Sequence, residues 1–247
     1  LFDQVHIPPA CSDTGQSLGT VLYYWHHVLK YPHNGMSWHS PYLGDGLIDL
    51  ELISNYKTQY RNLTHKRFDS GLVDRVATLL AEEKLVAWAH GRCEIGPRAL
   101  GNRSILCSPT QPKMKDTLNQ KVKHREWWRP FAPVCLAEDY KNWFEIEHEQ
   151  PYMLEAPQVR KPELVGAITH VDGTARLQTV RKAQNPLLHE LISKFKEKTG
   201  IPMLLNTSLN GQGKPIANSV RAILDLLESS NLDYAVIDNY LFYKLKM

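Results

Sequence analysis

Positively charged side chains are concentrated between residues 90 and 133 of this 247-residue chain. That segment holds nine Lys and Arg residues against three carboxylates, and glycines and prolines interrupt it. The cations are therefore expected on turns and at the ends of elements rather than along one helix face. Arg offers a planar fork that fits phosphate oxygens, and Lys offers a movable point charge. The segment predicts a site for a polyanionic small molecule such as a nucleoside triphosphate; the alternative is that half of these cations only solvate a surface.

Four groups of candidate site residues follow from this interpretation. All of them lie at predicted strand ends or turns, where α/β sheets place ligands. They are Arg98 and Arg103; Lys123, Arg125 and Arg129; His170, Asp172 and Arg176; and Asn206, Thr207, Ser208 and Asn210. The Asn-Thr-Ser run offers neutral donors for phosphate or sugar hydroxyls, although the same residue types are equally typical of ordinary turns.

The sequence lacks the motifs of several common chemistries. It contains no G-x-x-x-x-G-K-[ST], no G-x-G-x-x-G and no G-x-S-x-G, so a Walker-type phosphate loop is excluded and a nucleophile elbow at Ser208 is disfavoured. Several Arg and Lys residues with Ser and Asn fit charge stabilisation at phosphorus better than covalent catalysis. Adenylate formation suits such a site: a carboxylate or carbamate oxygen attacks the α-phosphorus, pyrophosphate leaves, and the protein aligns the groups.

The elements that must position these residues are indicated by apolar spacing. A helix is predicted to begin after residues 12–15, with Ser12 or Asp13 as its N-cap. Asp172-Gly173 predicts a hairpin between strands at 166–171 and 176–180. The other predicted elements are helices at 72–80, 114–122, 186–199 and 220–227 and strands at 85–89, 104–107, 131–136, 202–205, 234–237 and 240–245.

This alternation predicts an α/β fold, a twisted mixed sheet with flanking helices. Residues 31–67 are polar, aromatic and irregular, which predicts a linker or domain junction. We therefore divide the chain into a first unit at residues 1–65 and a second at residues 66–247.

Composition limits the classes of function. The formal net charge is only +3, with 29 basic and 26 acidic residues, which argues against a nucleic-acid coat or a membrane-surface protein. The four cysteines show no short spacing, so we expect a reducing, cytoplasmic setting without a disulfide framework or zinc ribbon. No run of about 18 apolar residues predicts a membrane span. The chain begins without Met, and we expect a fragment of a longer protein.

Four runs of residues carry a family resemblance: GRCEIGPRALGNRSIL, NQKVKHREWWRPFAP, THVDGTARLQTV and TGIPMLLNTSLN. They strongly resemble the C-terminal, YrdC-like domain of O-carbamoyltransferases of the NodU/CmcH type, over roughly residues 80–247. PPACSDTGQSLG is similar to the end of the actin-like first domain of that family. The resemblance implies that residues 1–65 are the C-terminal piece of such a domain with a linker, and that residues 66–247 are YrdC-like.

The resemblance also implies a two-step reaction. The YrdC-like domain would bind ATP with Mg²⁺ and carbamoyl phosphate, release carbamate, and form carbamoyl-adenylate and pyrophosphate. The actin-like domain, with Fe²⁺, would then transfer the carbamoyl group to an acceptor hydroxyl. The missing N-terminal region should contain the histidine pair that binds this metal, so this chain alone should at most make the adenylate.

By motif, the resemblance implies that three cations, Arg98, Lys123 and Arg129, grip carbamoyl phosphate and the ATP phosphates. It implies an adenylate pocket completed by Arg176, Asn206 and Ser208, with His170 and Asp172 near it. Asp13 resembles the metal-ligating aspartate of the family. Two departures are visible: Leu209 replaces the usual Phe of N-T-S-F-N, and Lys214 lies in GQGKPI where G-E-P-I is common.

Two other functions remain open at this point. Cations around Trp127 and Trp128 are typical of a non-catalytic RNA-binding module, although we expect the Trp pair to lie in the core. A nucleotide-binding remnant without turnover is the other alternative. The predicted partners are small-molecule substrates and the missing N-terminal domain, with a homodimer as a further option and nucleic acid disfavoured.

Overall fold

In a computed structural model, residues 7–33 and 40–245 are described, and their strands form one eight-stranded mixed sheet. The strands are β1 Leu63–Arg67, β2 Val86–Ala89, β3 Arg103–Cys107, β4 Ala132–Leu136, β5 Gln178–Val180, β6 Met203–Ser208, β7 Tyr234–Ile237 and β8 Tyr240–Lys244. Their order is β1-β8-β7-β2-β3-β6-β4-β5. The pairs β2–β7 and β4–β5 are parallel and the other neighbours are antiparallel.

Helices flank this sheet, which confirms the predicted α/β fold with a mixed sheet. The α-helices of the described residues are α1 Gln16–Tyr23, α2 Leu52–Asn55, α3 Leu72–Ala81, α4 Lys113–Lys121, α5 Pro186–Thr199 and α6 Val220–Ser229. Helices α3 and α5 pack against each other, α5 contacts β4 and β6, and α6 contacts β7 and β8.

Helix α5 shows how local sequence determines an element. The Leu188 N–H donates to Asn185 Oδ1 at 3.1 Å, and Pro186 occupies the first turn, where its missing N–H costs nothing. Gly200 ends the helix with a φ of 77°. Fully buried side chains recur at helical spacing, which explains the packing of α5: Leu188, Leu191, Ile192 and Phe195.

Strands β2 and β3 lie in the middle of the sheet and are buried along their whole length. Apolar residues occupy successive positions in VAWA and in the last three residues of RSILC. They do not alternate with polar residues there, because side chains on both faces of the sheet are covered. One consequence is that Arg103, in β3, lies inside the protein.

The hairpin predicted at residues 172–173 is wrong. A tight turn does form there, since the His170 N–H donates to Thr174 O at 2.8 Å. The flanks of the turn do not pair as strands, because the Ala167 N–H donates to Pro109 O at 2.9 Å and β5 pairs in parallel with β4. The backbone hydrogen bonds of this segment are therefore made to other parts of the fold.

Residues 31–67 are more than a linker. They contain α2 and β1, and β1 pairs antiparallel with β8 at the edge of the sheet. The predicted boundary between residues 65 and 66 falls within β1, which pairs along its whole length with β8. The division into two domains itself stays a prediction, and residues 1–6 and 34–39 of the first unit lie outside the described residues.

The helix predicted after residues 12–15 is present, but its cap and its packing differ from expectation. Neither Ser12 nor Asp13 makes a capping hydrogen bond, and Gly15 occupies the N-cap position of α1. No residue of α1 or of the π turn that follows it, Tyr24–Val28, is buried. Val21 and Tyr23 of α1 and Trp25 of the π turn are thus exposed large apolar side chains.

Nothing among the helices of residues 7–33 and 40–245 combines the length and the apolar character that crossing a bilayer requires. The four cysteines, at positions 11, 93, 107 and 135, are all free.

Gly101→Ala should destabilise the fold more than Gly200→Ala. Both glycines have a positive φ, 114° and 77°, which costs an L-residue roughly 1 kcal/mol. Only at Gly101 would a Cβ also collide, at 2.2 Å from Leu188 Cδ2, whereas nothing lies within 4 Å at Gly200. We expect Gly101→Ala to lose roughly 1–3 kcal/mol more than the control, measured by urea unfolding. Equal losses would show that Leu188 moves aside without cost.

Candidate active site

Two adjoining cavities lie where β6 ends. The first, of about 420 Å³, is here named the arginine pocket because four guanidinium groups line it: Arg98, Arg125, Arg129 and Arg176. The second, of about 530 Å³, is named the lysine pocket, and its lining includes Lys123, Arg125, Arg129, Ser208 and Asn210. Because Arg125, Arg129 and Ser208 line both, the two cavities form one cationic groove.

Arg98 lies on a loop that a carboxylate organises from within. Glu94 Oε1 accepts N–H bonds from Leu100 and Asn102, both at 2.7 Å, which fixes the turn directly after Arg98. Burial and the neighbouring Arg176 guanidinium lower the pKa of Arg98. Two like charges held this close repel each other, and an anion between them would relieve the repulsion.

Arg125 is held firmly and Arg129 loosely. Arg125 Nε donates to Asn119 Oδ1 at 2.7 Å, and its guanidinium carbon lies 4.6 Å from the centre of the Phe131 ring. Asn119 is fully buried in α4, and its Nδ2 donates to two backbone carbonyls of the loop that carries both arginines. Arg129 pairs with Glu126 at 3.0 Å with both side chains about half exposed. Such a surface ion pair is worth roughly 0–1 kcal/mol, so a ligand can displace it.

Lys123 holds the turn that follows β6. Its Nζ donates to Ser208 O at 2.5 Å, Asn210 O at 3.0 Å and Asn210 Oδ1 at 2.8 Å. An ammonium has three N–H donors, so protein oxygens occupy all of them. Burial and Arg125 lower the pKa of Lys123 to about 7. In this structure Lys123 positions Ser208 and Asn210, and the direct phosphate contact expected of it stays a prediction.

The Asn-Thr-Ser run ends β6 at the groove, and Asn206, Thr207 and Ser208 all line the arginine pocket. Ser208 Oγ donates to Asn210 Oδ1 at 2.7 Å, and Asn210 Nδ2 donates to Lys214 O at 2.7 Å. Both the oxygen and the amino group of the Asn210 side chain thus form hydrogen bonds within the turn. The Ser208 hydroxyl lies at the junction of the two cavities, where its oxygen can still accept a hydrogen bond.

Arg103 does not reach the groove. Its N–H groups donate to Asn218 Oδ1 at 2.9 Å and to the backbone carbonyls of His90, Gly91 and Asn102. These neutral oxygens solvate a guanidinium that is fully buried. The predicted substrate contact of Arg103 is therefore corrected to a structural one, which links β3 to the segments on either side of it.

His170 and Asp172 form a turn and are absent from the linings of both cavities. Asp172 Oδ1 accepts from the Thr174 N–H at 3.0 Å and from Thr174 Oγ1 at 2.8 Å, which lowers the pKa of Asp172. His170 Nδ1 lies 3.0 Å from the same hydroxyl, and burial lowers the pKa of His170. The pair shapes the turn before Arg176, and its predicted place near the adenylate stays a prediction.

The prediction that the Trp pair lies in the core is wrong. Trp127 and Trp128 are exposed by 66% and 58%, and Trp128 lines the arginine pocket. Asn119 binds the backbone of this loop, which leaves both indoles outside the core. An exposed indole beside guanidinium groups offers a flat surface for stacking.

The segment that builds the groove matches a known family. Residues 77–244 match the family described as carbamoyltransferase C-terminus. The chain belongs to this family. The nodulation protein NolNO of Sinorhizobium fredii is 39% identical over 99% of this chain and 36% of its own length. The 3'-hydroxymethylcephem-O-carbamoyltransferase of Amycolatopsis lactamdurans is 38% identical over 96% of this chain and 43% of its own length.

This member of the carbamoyltransferase C-terminus family therefore spans about two fifths of the length of these relatives. The family segment contains every residue that lines the two pockets. A crystal structure of full-length HypF in its phosphate- and nucleotide-bound form aligns with 72% of this chain and 22% of its own, at 18% identity and a TM-score of 0.49.

Asp13 lies outside the family segment and does not by itself make a metal site. It is exposed, and the nearest side-chain partner of its Oδ1 is Gln16 Nε2 at 3.5 Å. Within the described ranges 7–33 and 40–245, no group of three or more His, Cys, Asp or Glu side chains could hold a metal ion. The described residues therefore do not complete the iron centre that the resemblance implies, whose other ligands are expected outside this chain.

Sequence reasoning missed the residues that position the arginines. Glu94 and Asn119 contact the loops from inside; both lie within the runs that carry the family resemblance, but neither was given a role in the site. A signal existed for Asn119, because it follows Leu118 on the buried face of α4, where a polar side chain needs partners. No comparable signal marked Glu94, whose role depends on the path of residues 94–103.

Binding of anions in the groove should weaken as the pH rises through about 7. Because the pKa of Lys123 is lowered to about 7, the groove carries an extra positive charge below that pH and loses it above. We expect the dissociation constant of inorganic sulfate, whose own charge stays constant, to rise about fivefold between roughly pH 6 and 8.5, the effect of about 1 kcal/mol of lost attraction. Calorimetry would measure this change.

The control is Lys123→Met, which should bind sulfate more weakly at low pH and show a flat profile. A slope that persists in the variant would show that Lys123 is not the group responsible. A flat wild-type profile would contradict the lowered pKa.

Proposed function

We propose that this protein forms carbamoyl-adenylate from ATP and carbamoyl phosphate, as the adenylate-forming part of an O-carbamoyltransferase. One observation carries the proposal: four guanidinium groups from three loops line one pocket inside the segment that matches a carbamoyltransferase family. Both proposed substrates carry phosphate groups, whose charge guanidinium groups bind well. A relative that bears the name 3'-hydroxymethylcephem-O-carbamoyltransferase supports the reaction class.

The proposed reaction proceeds in two balanced steps. Water first cleaves carbamoyl phosphate into carbamate and inorganic phosphate. A carbamate oxygen then attacks the α-phosphorus of ATP, the bond from that phosphorus to the bridging oxygen breaks, and pyrophosphate leaves. No protein side chain forms a covalent bond, so the contribution of the site is alignment and charge stabilisation.

The groove offers a place for each charged part of this reaction. Arg98 and Arg176 would hold the smaller anion, carbamoyl phosphate, in the arginine pocket. Arg125 and Arg129 line both cavities and would face the charge that builds at the α-phosphate. The remaining phosphates, with the Mg²⁺ that accompanies ATP, would extend into the lysine pocket beside Ser208.

Arg98→Ala should slow pyrophosphate release about 10²- to 10³-fold in an assay with ATP, Mg²⁺ and carbamoyl phosphate. That is the usual cost of removing one group that stabilises transition-state charge. The Tm should stay unchanged, because Arg98 is exposed at the pocket.

The matched control for that assay is Arg181→Ala. Arg181 is an exposed arginine that pairs with Glu149 and lines neither pocket, so its loss should leave the rate unchanged. An Arg98→Ala variant as fast as the wild type would remove the site assignment. A wild-type protein that releases no pyrophosphate from these substrates would reject the proposed function.

Transfer to an acceptor hydroxyl would belong to a longer protein, since the chain spans only 36% and 43% of the two relatives described above. The exposed apolar side chains of α1 and of the π turn after it support this view. They would pack against the rest of the actin-like domain that the family resemblance implies, and metal ligands beyond Asp13 would come from that domain. Homodimerisation and a cytoplasmic location stay predictions.

A second candidate is a non-catalytic nucleotide- or RNA-binding module. The exposure of Trp127 and Trp128 beside Arg125 and Arg129 favours it, because bases stack on aromatic side chains among cations.

Fluorescence anisotropy with single-stranded RNA at low salt tests this candidate. We expect no tight binding, since the net charge is only +3. RNA binding that weakens steeply with salt and falls in Trp127→Ala, without pyrophosphate release, would support the module instead. ATP binding by calorimetry without turnover would indicate a nucleotide-binding remnant.

A further inference from the structure

Part of the segment that the sequence predicts as a linker lies against the loop that carries Arg98. Residues 41–45, here named the strap, lie beside residues 91–100, here named the Arg98 loop. Three backbone hydrogen bonds join the two stretches, which run in opposite directions: Ile95 N–H to Pro41 O at 2.8 Å, Gly44 N–H to Cys93 O at 3.0 Å, and Cys93 N–H to Asp45 O at 2.8 Å.

Two side chains add to this contact. Arg92 donates to Leu43 O and to Gly44 O, both at 2.7 Å. The Tyr42 hydroxyl donates to Leu100 O at 2.9 Å. Burial raises the pKa of Tyr42, so the hydroxyl keeps the proton that it donates. The strap thus holds the Arg98 loop at its start and at its end.

The Arg98 loop has no regular structure of its own. No helix or strand lies within residues 91–100, and Gly91 and Gly96 have positive φ values of 57° and 98°. Glycine loses more conformational freedom on ordering than any other residue. Burial and the like charge of Arg176 lower the pKa of Arg98, and repulsion between the two guanidinium groups favours displacement of the loop. Contacts from outside the loop must therefore hold it in place.

Beyond the strap, the chain is fixed to the segment before α6. The Ile48 N–H donates to Asn218 O at 3.1 Å, and the Val220 N–H donates to Ile48 O at 3.1 Å. Asn218 Oδ1 in turn accepts from Arg103 Nε at 2.9 Å, and Arg103 is a fully buried residue of β3. The strap therefore connects the Arg98 loop to the centre of the sheet.

We propose that the strap positions Arg98 for anion binding and that Tyr42 is its positioning residue. Tyr42 is not among the residues that line the two pockets, so it acts through Arg98 and not by touching the ligand. Without the strap, a bound anion would also have to order the loop, and that entropy cost would lower the affinity. The inference rests on the proposed function for the identity of the anion, but anion binding itself can be measured without turnover.

Tyr42→Phe removes only the hydroxyl and tests this role. The dissociation constant of inorganic sulfate, measured by calorimetry, should rise about fivefold, the equivalent of one net hydrogen bond. In the pyrophosphate-release assay, the KM for carbamoyl phosphate should rise by a similar factor with kcat nearly unchanged, because the ordering cost weakens ground-state and transition-state binding alike. Unchanged sulfate affinity in Tyr42→Phe would overturn the inference.

The matched control is Tyr140→Phe. The Tyr140 hydroxyl likewise donates to a backbone carbonyl, Glu147 O at 3.1 Å, and Tyr140 lines neither pocket. Sulfate affinity should stay unchanged in this variant even if its Tm falls. An equal loss of affinity in Tyr140→Phe would assign the effect to general loosening of the fold and would count against the strap.

A second pair of variants tests the backbone contact, also where Tyr42→Phe fails to fold. In Gly44→Ala, the new Cβ would lie 2.3 Å from Cys93 Sγ and 3.0 Å from Cys93 O, so the strap and the Arg98 loop must separate. In Gly46→Ala, one residue beyond the strap, no atom of the described residues lies within 4 Å of the new Cβ. Sulfate affinity should fall roughly fivefold or more in the first variant only. Equal affinities in the two variants would contradict the inference.

The double variant Arg98→Ala/Tyr42→Phe shows whether the strap acts through Arg98. Arg125, Arg129 and Arg176 remain in the pocket to bind sulfate. With the Arg98 guanidinium removed, Tyr42→Phe should weaken sulfate binding no further. Losses that simply add, as they do for independent sites, would show that Tyr42 acts elsewhere and that the inference is wrong. A wild-type protein that binds sulfate but releases no pyrophosphate would reject the proposed function, while the sulfate measurements would still decide the role of the strap.

Discussion

The geometry of the cationic groove depends on the buried ammonium group of Lys123, which neutral oxygens surround. Lys123 follows α4 and donates to Ser208 and Asn210, which lie 85 and 87 residues away in the chain. Because none of these acceptors carries a formal charge, the positive charge that Lys123 bears below its pKa of about 7 is not paired with a negative charge. A carboxylate in the same position would have formed an ion pair and left a weaker field for an anionic ligand.

Two other positively charged side chains that the fold buries are likewise bound by neutral acceptors. Arg103 donates to backbone carbonyls and an amide oxygen, and Arg125 donates to Asn119 and rests on the ring of Phe131. The Glu94 carboxylate accepts hydrogen bonds from backbone N–H groups close to Arg98 in the chain. Packing and hydrogen bonds elsewhere in the fold therefore offset the repulsion between these positively charged side chains. What remains is a preorganised positive site, in which an anion need not order the side chains that bind it.

Much of the fold could be predicted because its elements are locally consistent. Helix α5 has its cap, its proline, its terminal glycine and its apolar spacing in one stretch of sequence, and it was predicted correctly. The failures occur where long-range contacts decide. β1 lies at the edge of the sheet, where LTHKR is polar enough to resemble a linker. The segment before the turn at His170 makes its backbone hydrogen bonds to a loop about sixty residues earlier, which no local pattern shows.

The sequence by itself determined which segments carry the positive charge, which carry the neutral donors, and to which family they are similar. Only the tertiary structure decided what each of these residues does. Arg98 and Arg103 are five positions apart in one motif, yet Arg98 lines the pocket and Arg103 is enclosed in a strand covered on both faces. Lys123 contacts a turn rather than open space, and the amino group of Asn206 binds Ala99 and Gln178 instead of facing a ligand. The physical reason is that the cost of burial and the supply of hydrogen-bond partners depend on which distant segments come together.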